Sequence, residues 1–185
     1  KRLRFIPFLR RSVTPMNKTV CPIQICVLLF FNASMLSTES MGQGPSVTRH
    51  SFFVAGPTFT GIIDEAGNEV WDSGRGGARD GWVLPSGNVL IAWRDVVREF
   101  TRDKKVVFEY RLDPANQEIG TVERLPNGNT LITELGNKPR LMEVTANGKI
   151  DVEFALQPET DNAHMQTRMA RKLANGNYLV PHLLA

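Results

Sequence analysis

The chain has 185 residues, 42% hydrophobic and 22% charged, enough apolar side chain for a packed core. Its net charge is +3, yet six of the 22 Lys and Arg stand in residues 1–40 against one acid, Glu39. The rest holds 16 basic and 18 acidic side chains, net −2, so no polyanion-binding surface and no nucleic-acid partner is expected. Both cysteines, Cys21 and Cys26, lie in the same leader, which leaves the remainder without a disulfide framework, a thiol nucleophile or a cysteine-held metal.

Lys1 to Pro15 is basic, and Met16 is the first plausible start. Asn17-Lys18 then precedes an apolar run from Val20 to Ala33, interrupted by Pro22, Gln24 and Asn32. This profile predicts a secretory signal peptide within residues 1–40, cleaved between Ala33 and Gly42, and a secreted or periplasmic protein. The alternative is an uncleaved amino-terminal anchor, the one membrane contact expected. No convincing lipobox precedes Cys26. Residues 41–50 read as a linker, with His50 on the surface before the first strand.

Beyond the linker the predicted elements are short strands. Thr58 to Ile63, a turn at Asp64-Glu65-Ala66-Gly67-Asn68, and Glu69-Val70-Trp71 form one hairpin. The same shape returns around Asp103-Lys104, with poorer turn residues, and around Thr145-Ala146-Asn147-Gly148. A second kind of hairpin alternates with it: Leu84-Pro85-Ser86-Gly87-Asn88, Leu125-Pro126-Asn127-Gly128-Asn129 and Leu173-Ala174-Asn175-Gly176-Asn177, spaced 41 and 48 residues apart. Gly87, Gly128 and Gly176 are the structural turn residues, expected at positive φ. No apolar period of a helix persists.

Three ungapped windows align: Arg75–Arg94, Asn116–Leu135 and His164–Leu183. Each ends in a strand apolar on both faces, as a strand covered by sheets on both sides requires. The later hairpin alternates, Lys149, Asp151 and Glu153 against Ile150, Val152 and Phe154. The expected fold is therefore all-β: a β-propeller of four-stranded antiparallel blades, incomplete, over residues 51–185. Its blades would span about 51–74, 75–113, 116–158 and 164–185, the first and last partial, within a longer gene product. An open array of β-meanders is the alternative, and it leaves long apolar edges.

The first and nineteenth residues of each window fall at the end opposite the glycine turn. They are Arg75 with Trp93, Asn116 with Glu134, and His164 with His182. On a closed ring these six would face one channel mouth and bind a small molecule or a protein. The plainer reading is six solvated strand ends. Either histidine suits a ligand or base near neutral pH.

The run Leu125-Pro126-Asn127-Gly128-Asn129-Thr130-Leu131-Ile132, followed by Glu143-Val144 and Asn147-Gly148-Lys149, resembles bacterial quinoprotein-like propellers. Asp64 to Trp71 resembles their tryptophan-docking motif, with Asp64 one residue nearer the glycine than usual and with Phe108 and Val152 at other tryptophan positions. The resemblance implies a secreted binding module. In its enzymatic members it implies a quinone-dependent alcohol or sugar dehydrogenase. Such an enzyme needs pyrroloquinoline quinone on an aromatic face, calcium and a carboxylate base; Trp93 is the candidate for the face and Glu134 for the base. The adjacent cysteine pair of many such enzymes is absent, and no acidic cluster looks like a calcium cage, so no metal site is assigned. Arylsulfotransferase-type propellers have similar repeats, and that likeness implies His164 or His182 acting with Arg75 or Arg168. Catalytic residues stay unassigned.

Overall fold

The computed structural model describes residues 49–184, so the leader and its signal-peptide reading lie outside the described residues. Those residues form an all-β fold with one short 3-10 turn, Ala163–Met165. The strands fall into four antiparallel sheets in chain order. The first is β1 (Phe52–Ala55), β2 (Thr60–Ile63) and β3 (Glu69–Asp72). The second is β4 (Asp80–Val83), β5 (Val89–Ala92), β6 (Val96–Phe100) and β7 (Val106–Arg111). The third is β8 (Asn116–Arg124), β9 (Thr130–Gly136), β10 (Arg140–Val144) and β11 (Ile150–Ala155). The fourth is the pair β12 (Arg171–Lys172) and β13 (Tyr178–Leu179). No sheet among the described residues closes on itself.

Turn chemistry sets these boundaries. Gly87, Gly128 and Gly176 sit at φ 84°, 89° and 87°, the left-handed region glycine enters without a Cβ clash. In the other hairpins a short polar side chain organises the turn. Asp64 Oδ1 accepts from the Asn68 amide at 2.8 Å, Thr101 Oγ1 from Lys105 at 3.0 Å, and Thr145 Oγ1 from Lys149 at 3.1 Å. A register shift precedes each turn, at Ile62/Ile63, Glu99/Phe100 and Glu143/Val144. Gly67 and Gly148 supply the positive φ there, whereas the middle turn has Lys104 at φ 67°.

Apolar side chains sort alternately to the two sides of each second strand. Val89 and Ile91 join Ile62, Trp71 and Phe100 between the first and second sheets. Leu90 and Ala92 join Phe108, Ile119, Val122 and Ile132 between the second and third. Leu131 and Leu141 meet Ala170 and Tyr178 between the third and fourth. Burial on both faces is thus why β5 and β9 read as unbroken apolar runs.

Aromatic residues fasten neighbours. Trp71 crosses from the first sheet to the second, its ring edge-on to Phe100 at 6.0 Å and its indole N–H donating to the Arg102 carbonyl at 3.1 Å. Trp82 does the same one step on, donating to the Val122 carbonyl at 2.7 Å. Phe108 is buried at the corresponding place between the second and third sheets, with the Arg124 guanidinium 5.2 Å from its ring centre.

Candidate functional site

The structure joins two of the three expected pairs. The Arg75 guanidinium lies 5.1 Å from the Trp93 ring centre and 2.6 Å from Asp95. Asn116 donates to Glu134 at 2.9 Å. His164 and His182 have separate partners: His182 Nδ1 meets Thr167 Oγ1 at 2.6 Å, while His164 faces Glu118 and Arg168.

Three of the expected rim residues, Trp93, Asn116 and Glu134, are buried and not at a solvated rim. Trp93 is 1% exposed, within the core between the first and second sheets, with its indole N–H on the Gly76 carbonyl at 3.1 Å. Glu134 is 0% exposed. For Trp93 and Glu134 the physical reason is the two-sided cover of the second strand, which extends to its last residues.

Glu134 is also saturated. One carboxylate oxygen accepts from the Tyr110 hydroxyl and the Asp113 amide, both at 2.8 Å. The other accepts from Asn116 at 2.9 Å and from Arg140 Nε at 2.8 Å. Arg140 in turn reaches Glu153 at 2.9 Å and Asp113 at 3.1 Å. Burial, followed by the Glu134 carboxylate, holds the Tyr110 hydroxyl protonated above its ordinary range. Burial opposes the Arg140 charge, and Glu153 and Glu134 outweigh it to raise its pKa. A cleft of about 550 Å³ lies over this group, lined by Asp113, Asn116, Lys138, Arg140 and Glu153 among others. With its acceptors filled and its guanidinium shared by three carboxylates, the network braces β7, the Asp113 turn and β9 together.

The quinone chemistry implied by the resemblance does not fit these residues. Trp93 offers no free ring face for stacking, and Glu134 has no unoccupied lone pair with which to act as a base. Among the described residues no three His, Cys, Asp or Glu side chains group as a metal ion needs.

A second cluster is built differently. It lies where the first strands of successive sheets run side by side, at the end away from the glycine turns. The β8–β9 ladder carries two irregularities, between Asn116/Glu118 and between Ile119/Val122, while β4–β5 pairs without one. Paired bulges re-aim the strand locally, and here they bracket Glu118. That side chain is 4% exposed and takes Arg79 Nη2 on Oε2 at 2.6 Å. Its other oxygen, Oε1, is buried with no hydrogen-bond partner and stands 3.5 Å from His164 Nδ1. The His164 side chain is 58% exposed and covers this carboxylate.

The segment carrying His164 is fixed from below. Gln166, 2% exposed, accepts from the Gly136 amide at 2.8 Å and donates to the Gly136 carbonyl at 3.1 Å and the Thr160 carbonyl at 3.0 Å. Thr167 is fully buried and bridges to His182. Close approach depends on Gly120, where a Cβ would stand 2.6 Å from the Thr167 carbonyl oxygen. Arg168 is exposed, donates Nε to the His164 carbonyl at 3.0 Å, and turns Nη2 to His164 Nε2. Beside them Asp80 accepts from the Thr121 hydroxyl at 2.5 Å, and Arg171 stacks 4.9 Å from the Trp82 ring centre.

The sequence reading named His164, His182 and Arg168 here but missed Glu118, Arg79 and Gln166. The visible signal was Glu118 itself, an acid at a position occupied by Gly77 and Gln166 in the aligned windows.

No family model and no curated protein matches the chain. The crystal structure of a protein of unknown function from Bacteroides caccae is similar, with a TM-score of 0.64 and 22% identity over 73% of this chain. The match covers 51% of that protein, so the chain spans about half its length. At this identity the likeness is one of fold alone.

Proposed function

We propose that the chain is part of a secreted, quinoprotein-like β-propeller that binds a small molecule or a protein through the edge formed by Arg79, Glu118, His164 and Arg168. The reading makes it a binding module and assigns no catalysis. Its blades are the four sheets in order, about 51–74, 75–113, 116–158 and 164–185. Sheet-on-sheet cores with repeated turns support the propeller arrangement, and the apolar run after Met16 supports secretion. Within the described residues no helix is long and apolar enough to cross a membrane.

One observation carries the site: a buried carboxylate oxygen of Glu118 has no hydrogen-bond partner, directly beneath an exposed histidine. Leaving such a group unsatisfied costs roughly 1–3 kcal/mol, and His164 Nδ1 at 3.5 Å meets only part of that demand. The Glu134 network, by contrast, is closed and complete. A thermal-shift panel of small carboxylates, phosphates, sugars and amines tests this. Compounds that raise the melting temperature of the wild type should fail to do so for the His164→Asn/Arg168→Gln double variant. Undiminished shifts in that variant would contradict the reading.

A further inference from the structure

We infer that His164 and Arg168 bind a carboxylate group of the ligand, with Glu118 holding the imidazole from behind. The inference rests on the reading of this edge as the binding surface and adds the ligand's chemical class.

Arg168 has no acidic partner within ion-pair distance among the described residues, although it is held in place by its bond to the His164 carbonyl. Arg168 Nη2 stands beside His164 Nε2, while His164 Nδ1 faces Glu118 Oε1. Nε2 and Arg168 Nη2 are thus neighbouring polar atoms on two exposed side chains. A carboxylate placed between them takes one oxygen to each, with the imidazole donating from Nε2. With both ring nitrogens protonated, the ring donates in both directions, to the ligand and to Glu118 Oε1. Three groups face His164: Glu118 from β8, Arg168 from its own segment and, through the far oxygen of Glu118, Arg79 from the chain before β4.

The number of donors selects the class. Two neighbouring donors match the two oxygens of a planar carboxylate. A phosphate dianion brings further oxygens and a second charge toward Glu118. The segment is already fixed by Gln166 and Thr167, so binding orders little additional chain.

The test is an NMR titration of the full chain with propionate, its neutral isostere propionamide, and inorganic phosphate. Propionate should move the resonances of Gly120, His164 and Arg168 saturably, while propionamide should not. Because each charge-assisted bond is strong, Arg168→Gln should weaken propionate roughly 10-fold or more. Arg168 is exposed, so the variant should keep the wild-type melting temperature. The inference falls, with the binding edge retained, if propionamide or phosphate moves the same resonances at least as tightly as propionate. It also falls if Arg168→Gln or His164→Asn leaves propionate affinity unchanged. If none of the three probes moves these residues, the carboxylate class is wrong, and the wider panel above still decides the edge.

Discussion

Glu134 accepts four hydrogen bonds at 0% exposure, two of them from Asn116 and Arg140 side chains. Removing one member of such a buried pair strands the other, so Glu134→Ala should cost roughly 3–5 kcal/mol in urea unfolding. An exposed strand end would cost under about 0.5 kcal/mol. A loss that small would show the network to be loose. Gly128 is the reverse case, held by backbone conformation and not by contacts. Nothing lies within 4 Å of where its Cβ would be, yet its φ of 89° should make Gly128→Val cost roughly 1–3 kcal/mol. Gly120 combines contact with function: a Cβ there meets the Thr167 carbonyl and Thr133 Oγ1 at 2.6 and 2.7 Å. Gly120→Ala should therefore displace the His164–Arg168 segment, read as lost ligand response, while far-ultraviolet dichroism keeps its β character.

At the scale of the element, the same position recurs between neighbouring sheets with changing chemistry. Glu99 holds its own Asn88 at 2.6 Å and Arg124 of the next sheet at 2.5 Å. Glu143 stands likewise between Asn129 at 3.3 Å and Lys172 of the next sheet at 2.5 Å, with Tyr178 also at 2.5 Å. Burial pushes the Glu143 carboxyl up, and Lys172 and Tyr178 more than offset this, leaving it below the usual range. A depressed carboxyl contributes stability above its unfolded value and loses it as pH falls through the folded one. Glu143→Gln should therefore flatten the acid limb of the stability profile below about pH 4.5, measured as urea midpoints. An unchanged acid limb would show that this ion pair does not stabilise the docked fourth sheet. In the middle outer turn, Lys104→Gly should stabilise by about 1 kcal/mol, since Lys104 occupies a conformation its neighbours fill with glycine.

At the scale of the molecule, much of the fold was legible because repetition amplifies weak local signals. Pro85, Pro126, Gly87, Gly128 and Gly176 marked the turns, and alternation around Lys149 to Phe154 separated the exposed hairpin from the covered one. The site was less legible, because it depends on which strands become neighbours. Trp93 and Glu134 read as rim residues from their place in the hairpin, and stacking of the adjacent sheet buried them. The contact of Glu118 with His164 joins residues 46 positions apart through two bulges that leave little trace in composition. Sequence spacing placed His164 at the end of its window away from the Gly176 turn; packing decided its partner.

The central claim is that the His164–Arg168 segment is a built part of that stack, fixed before any ligand arrives. Native-state amide hydrogen exchange without ligand measures this directly. The Gly136 amide, bonded to the Gln166 side chain, and the Leu183 amide, bonded to the Gln166 carbonyl, should be protected like the buried strand β9. In Gln166→Ala the Gly136 protection should collapse while that of Ile132 stays. Exchange of Gly136 and Leu183 at the rate of an open loop in the wild type would contradict the claim.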